Sequence, residues 1–99
     1  MENGYNILWT DHALSELAKT YEYLELHFTN RELIKLSIEI DRTLKLISKN
    51  PNLFPLSESR GIRRVVIKKF NTIYYRENKN NVEILSFFSN RQNPNKRKI

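Results

Sequence analysis

The sequence predicts a single two-layer α+β domain of order β-α-α-β-β-β, in which a helical hairpin packs on one face of a mainly antiparallel four-strand sheet. Three observations carry this expectation. A short alternating run opens the chain, two long apolar stripes at helical spacing follow, and residues 63–88 read as three β-prone runs separated by turn residues.

Tyr5, Ile7 and Trp9 alternate with Asn6, Leu8 and Thr10, the period of a strand with a buried face. Tyr5 to Trp9 is therefore the first strand. Trp9 is its anchor in the core, and Trp9→Ala should cost about 3–5 kcal/mol. Thr10 or Asp11 then caps a helix, since either side chain accepts from the free amides of a first turn. Leu14, Leu17, Ala18, Tyr21, Leu24 and Phe28 form its apolar stripe, and Glu16, Lys19, Glu22 and Glu25 lie off it.

Thr29-Asn30-Arg31-Glu32 has the spacing of a capping box and opens a second helix. Leu33, Leu36, Ile40, Leu44 and Ile47 make its stripe. Ile34 and Ile38 widen it, which asks for two apolar neighbours rather than one. Lys45 and Lys49 complement the dipole of the last turn, and Pro51 forbids continuation. So short a connection between the helices implies an antiparallel hairpin. Leu53, Phe54 and Leu56 follow as an ordered loop packed on the sheet or the helix end.

The three later strands are expected at Arg64 to Ile67, Thr72 to Arg76 and Val82 to Phe88, where Val, Ile, Tyr and Phe accumulate. Asn78-Lys79-Asn80-Asn81 signals a tight reversal; Lys68-Lys69-Phe70-Asn71 is a weaker turn signal. Within the middle strand, Thr72, Tyr74 and Arg76 share one side and Ile73 and Tyr75 the other, the Ile73 side meeting the helices. The tail from Ser89 to Ile99 has no periodicity, Pro94 stops any strand, and residues 95–99 should fray.

With 99 residues the chain is long enough for one domain, spanning 1–99, with a modest core, and 39% hydrophobic residues can fill it. The lack of cysteine excludes a disulfide framework and a thiolate zinc site. No apolar run is long enough to span a membrane, and the start MENGYNILW lacks the layout of a signal peptide, so the cytoplasm is the expected location. Charge is placed unevenly. Residues 1–49 carry six Lys and Arg against eight Asp and Glu, a balance of −2, while residues 50–99 carry eleven against three, a balance of +8. The positive field therefore belongs to the sheet half and the tail. It suits an anionic partner, either nucleic acid or an acidic protein segment, and equally a solvated surface that keeps a small domain soluble.

The order of elements, together with RRVVIKKFNTIYYRE and the closing FFSNRQNPNK, resembles the RelE/ParE superfamily of bacterial toxins from type II toxin-antitoxin (plasmid stabilisation) systems. The resemblance covers Tyr5 to Lys96. It rests on a Trp-Thr strand end running into an Ala-Leu-rich helix, a basic strand followed by IYYR, and Arg-Gln-Asn-Pro soon after the last strand. It implies a cognate antitoxin whose acidic or amphipathic C-terminal segment wraps the toxin, giving a hetero-oligomer, and no cofactor. It also implies growth inhibition through one of two targets: DNA gyrase for ParE-like members, messenger RNA in the ribosomal decoding site for RelE-like ones.

Metal-free RNA cleavage needs cations that stabilise a phosphorane-like transition state and groups that move protons to and from the reacting oxygens. Arg64, Lys68, Lys69, Arg76 and Arg91 are the candidate cations, and Tyr74 or Tyr75 the candidate proton carriers. On a RelE-like reading Arg91, Lys68 and Lys69 are catalytic, because the resemblance places Arg91 at a functional arginine and the lysines near functional strand lysines. On either reading Arg63, Arg64, Lys68, Arg76 and Arg91 bind antitoxin or target. Two departures weigh against the nuclease. Aligning IYY puts Thr72 where RelE-like enzymes carry an early strand arginine, with Arg76 four residues later, and no tyrosine follows Tyr75. The sequence therefore favours a ParE-like toxin that binds gyrase or another protein, over a RelE-like ribosome-dependent endoribonuclease. His12 and His27 stand outside the sheet with no metal-ligand spacing around them and read as surface or boundary residues. Lys96, Arg97 and Lys98 read as a solvated end.

Overall fold

The computed structural model describes residues 4–57 and 61–90. Its elements, in chain order, are β1 (Asn6–Trp9), α1 (Asp11–His27), α2 (Asn30–Lys49), β2 (Arg63–Ile67), β3 (Asn71–Asn78) and β4 (Asn81–Ser89). The sheet order is β1-β4-β3-β2, with β1 parallel to β4 and the other two pairings antiparallel. This is the expected β-α-α-β-β-β architecture. The helical hairpin is what permits the parallel pair, since parallel neighbours need a long crossover connection.

One threonine makes the turn from β1 into α1. The Thr10 hydroxyl accepts from the Ala13 amide at 3.1 Å and donates to the Ile84 carbonyl at 2.9 Å, so the N-cap of the helix and the end of the β1–β4 ladder share a side chain. At the other end of β1, the Tyr5 amide donates to the Ser48 carbonyl at 2.9 Å and the Ser48 hydroxyl donates to the Tyr5 carbonyl at 2.7 Å. That clip ties the start of β1 to the last turn of α2.

The core is the helix-facing side of the sheet. Ile73, Tyr75, Val82, Ile84 and Phe87 meet Ala13, Leu24, Leu36, Ile40 and Ile47, all buried, and Ile73 and Tyr75 lie on the helix side as expected. Trp9 packs against this core while remaining partly exposed. Pairing shifts from Tyr74 opposite Ser86 to Tyr75 opposite Ile84, leaving Leu85 as the extra residue of a β-bulge. The bulge resets the alternation of β4, so that Val82 and Ile84 before it and Phe87 and Ser89 after it all point inward.

Several expectations are corrected. β1 begins at Asn6, and β3 and β4 extend by one to two residues at their ends, Ser89 completing β4. On α1 the buried positions are Ala13, Thr20 and Leu24, while Leu14 and Phe28 are exposed. Thr20 is tolerated inside because its hydroxyl donates to the Glu16 carbonyl one turn back at 2.9 Å. Glu16 does not lie off the packed side; it reaches the sheet. Thr29 occupies the N-cap of α2 but its side chain makes no capping hydrogen bond. Ile34 and Ile38 do not meet a second neighbour: they are 59% and 51% exposed. Phe54 is partly buried, whereas Leu53 and Leu56 are exposed. Among the described residues no helix is long and apolar enough to cross a membrane.

Candidate binding face and lysine turn

In an antiparallel ladder directly opposed residues share a face, so the register assigns the side of the sheet away from the helices. Arg64 and Val66 of β2 oppose Tyr74 and Thr72 of β3; these oppose Ser86 and Phe88 of β4; Arg76 opposes Glu83, which opposes Leu8 of β1. This open face interleaves apolar and aromatic side chains with cations. Val66 alone is 57% exposed.

Two of the expected binding cations are already engaged. The Arg76 Nε lies 2.8 Å from Glu83 Oε1, and the Asn78 amide nitrogen donates to the other carboxylate oxygen at 3.2 Å. Those two hydrogen bonds hold the Glu83 carboxyl below its usual range. Arg63 turns sideways and donates to the Phe54 carbonyl at 2.7 Å, pinning the loop before β2. Tyr75 is fully buried, and its hydroxyl donates to the Pro51 carbonyl at 2.8 Å. Burial raises its pKa, a shift that the nearby Arg63 charge only partly offsets. Arg64 is exposed and, like Lys68 and Lys69, makes no ion pair among the described residues.

The two lysines sit on an unusual turn. Ile67 pairs with Asn71, closing a three-residue connection in which Lys68 has φ 51° and Lys69 φ 73°. The Phe70 amide donates to the Lys68 carbonyl at 2.7 Å, so Lys69 is the centre of a γ-turn of the rare, strained kind. A non-glycine residue held there costs on the order of 1–3 kcal/mol unless its surroundings over-determine it. Here they do. The buried Asn71 side chain donates to the Ile67 carbonyl at 3.1 Å, and the Asn90 amide donates to the Phe70 carbonyl at 2.8 Å. The turn thereby fixes two ammonium-bearing residues at the end of β2. Lys68 lines a small cleft there with Thr20, Leu24, Glu32, Leu36, Asn71 and Ser89.

The structure thus leaves Arg64 exposed near the start of β2 and Lys68 and Lys69 exposed on the turn past its end. It ties Arg76 to Glu83, uses Arg63 as a loop latch and places Tyr75 in the core. Tyr74 stays on the open face beside Arg64. Arg91, with Lys96, Arg97 and Lys98, lies outside the described residues. Sequence reading missed the Arg76–Glu83 pair, although charges of opposite sign flanking a predicted hairpin could have signalled it. The left-handed turn was not legible, since it contains no glycine.

His12 is an exposed residue 3.3 Å from Glu16 Oε1, and His27 stacks near Tyr23 with ring centroids 4.5 Å apart.

Comparison with known proteins agrees with this architecture. A solved structure described as "Chromosomal ParDE TA system from P. aeruginosa" superposes with a TM-score of 0.73 at 18% identity, covering 89% of this chain and 98% of that one. Another, "The structure of YoeB dimer from Staphylococcus aureus", gives 0.59 at 21% identity, covering 85% and 94%. No curated protein matches the sequence significantly. Residues 7–94, which hold every element but the start of β1, match the family described as ParE toxin of type II toxin-antitoxin system, parDE, and the chain belongs to that family.

Proposed function

We propose that this toxin acts in the cytoplasm in the ParE-like manner, by binding a protein target rather than by cutting RNA, with DNA gyrase as the target that the resemblance to ParE-like toxins implies. Family membership implies an antitoxin partner, and the exposed cations Arg64, Lys68 and Lys69 along β2 and its turn are suited to hold it. The choice rests on the composition of the open face and on Arg76, Tyr75 and Thr72, while Lys68 and Lys69 stay exposed on their turn. Acid–base catalysis needs ionisable side chains facing one substrate. Arg76 is paired with Glu83, Tyr75 is committed to the Pro51 carbonyl inside the core, and Thr72 stands where the resemblance puts an arginine in RelE-like enzymes. The open face also carries Val66, Phe88, Tyr74 and Arg64, apolar and aromatic side chains with an arginine, as protein interfaces favour.

The test adds purified protein to a gyrase supercoiling reaction and, in parallel, to a translating bacterial extract whose message is mapped by primer extension. Blocked supercoiling with intact message supports the proposal. New 5′ ends at ribosome-occupied codons, lost with Arg91→Ala, overturn it in favour of a RelE-like endoribonuclease.

A further inference from the structure

The side of the helical layer that faces away from the sheet divides its charge between the two helices. At about 3.6 residues per turn, Asp11, Ala18, Glu22 and Glu25 of α1 stand opposite the buried Ala13, Thr20 and Leu24, and all four are exposed. The three acids make no ion pair among the described residues, and Lys19, the one Lys or Arg of α1, falls on the flank away from α2. On α2 the positions opposite the buried Leu36, Ile40, Thr43 and Ile47 include Arg31, Ile34, Ile38, Arg42, Lys45 and Lys49, with Lys35 beside them, again all exposed. Arg42 pairs with Glu39 and Lys45 with Asp41. Arg31, Lys35 and Lys49 make no ion pair among the described residues. Three unpaired acids on one helix thus lie beside three unpaired cations on the other, around an apolar centre of Ala18, Ile34 and Ile38 in which both isoleucines are more than half exposed.

Such a face is complementary to itself. The Tyr21 and Ser37 hydroxyls lie 2.9 Å apart, so these two positions share one height in the antiparallel hairpin, and the other heights follow from a rise of about 1.5 Å per residue. Glu22 and Glu25 are then within a turn of Lys35 and Arg31, Asp11 falls between Lys45 and Lys49, and Ala18 lies near Ile38. A two-fold axis along the helices carries no translation, so it sets each position of α1 against the α2 position of equal height in a second copy. Asp11 meets Lys49 of that copy, Glu22 and Glu25 meet its Lys35 and Arg31, and Ala18 meets its Ile38. An axis across the helices would instead lay α1 on α1, acid against acid. We propose that the chain forms a two-fold symmetric dimer in which the outer faces of the two hairpins close into an antiparallel four-helix bundle. The 17 residues of the shorter helix and an interhelical spacing of about 10 Å give a face of about 25 by 20 Å, hence roughly 1,000 Å² covered in the dimer. That is the lower limit of a specific interface, and the dissociation constant should be on the order of micromolar. The open sheet faces point outward from this dimer, so both stay free for a target.

The test is sedimentation equilibrium of the full chain, whose monomer is 11.9 kDa. Twice that mass is expected at concentrations of about 100 μM, falling back toward the monomer on dilution and with added salt. Two double variants reverse the charges: Glu22→Lys with Glu25→Lys, and Arg31→Glu with Lys35→Glu. Each alone should dimerise at least roughly tenfold more weakly, because both of its contacts set like charges together. Mixed in equal amounts they should form a heterodimer, since one contact keeps the original pairs and the other holds them exchanged. All four sites are exposed and outside the core, and circular dichroism checks that the variants fold. Should one variant fail to fold, Ile38→Asp, at the apolar centre, should also dissociate the dimer. A chain that stays monomeric at 100 μM overturns the proposal. A dimer untouched by the charge reversals and by Ile38→Asp overturns it too, and would place the contact elsewhere, as at a sheet edge. Two variants that are each weakened and do not recover on mixing would likewise overturn the pairing of α1 with α2. Supercoiling and primer extension read the target separately from this mass.

Discussion

The carboxylate of Glu16 accepts the backbone amide of Phe87 at 2.8 Å, and the same oxygen accepts the Ser86 hydroxyl at 2.8 Å. β1 pairs with β4 only as far as Ile84, so past the bulge β4 would present unpaired amides at the sheet edge. A helical carboxylate takes the place of the missing strand. Glu16→Ala leaves the Phe87 amide and Ser86 hydroxyl without their acceptor in a part-buried site and should cost about 1–3 kcal/mol. Glu16→Gln keeps one acceptor oxygen and should lose less. Denaturant midpoints of the three proteins check this order; an unchanged midpoint for Glu16→Ala would show that water serves the edge as well.

Tyr75 gives a second, independent measure of the core. Its hydroxyl is buried and donates to Pro51, so Tyr75→Phe strands that carbonyl and should cost about 1 kcal/mol. The pH dependence follows from the raised pKa. The folded state holds the phenol proton more tightly than the unfolded state, so this contribution is complete below the ordinary value of 10.0 and is lost as pH rises through the folded value. The ultraviolet absorbance of tyrosinate should show one phenol resisting ionisation until the chain unfolds in alkali, and Tyr75→Phe should abolish that late step.

Much of the fold was legible because its signals are periodic. Ile73 and Tyr75 alternate inward, Leu36, Ile40 and Ile47 repeat at helical spacing, and Thr10 precedes an apolar stripe. The failures share a cause. Ile34 and Ile38 extend the stripe of α2 chemically but point past the sheet, and amphipathic counting cannot tell a neighbour from empty space. Helical spacing puts Glu16 off the apolar stripe, while its partner is a backbone amide seventy-one positions away that no local pattern marks. In the candidate site the residue types were readable and their availability was not. Arg76 and Arg64 look alike in sequence, and only the register setting Glu83 opposite Arg76 separates them.

The Arg76–Glu83 pair is exposed enough that its removal should change stability little, within the range of a surface ion pair of about 0–1 kcal/mol. Its acid behaviour is nevertheless directional. Glu83 has a lowered pKa, from hydrogen bonds to Arg76 and Asn78; its contribution is therefore present above the ordinary value of 4.5 and lost as pH falls through the lower folded value. An NMR titration of the Glu83 carboxyl should find it lowered in the wild-type chain and moved upward in Arg76→Ala. Equal values in both proteins would mean that the pair does not persist in solution.

The lysine turn sets stability against charge. Lys69 sits at φ 73° in a γ-turn, a backbone that glycine adopts freely and other residues only at a cost of about 1–2 kcal/mol. Lys69→Gly should therefore leave the fold intact and raise its melting temperature, whereas Lys69→Ala keeps the strain and should not. Both remove an ammonium from the turn at the end of β2, so both should weaken the complex with the antitoxin that the family implies and make its affinity less sensitive to added salt. If Lys69→Gly stabilises the chain and weakens the complex together, the strain is kept for the sake of the charge. If it stabilises the chain with the complex unchanged, the turn is only a constraint of the β2–β3 connection, and Lys68 and Arg64 carry the attraction alone.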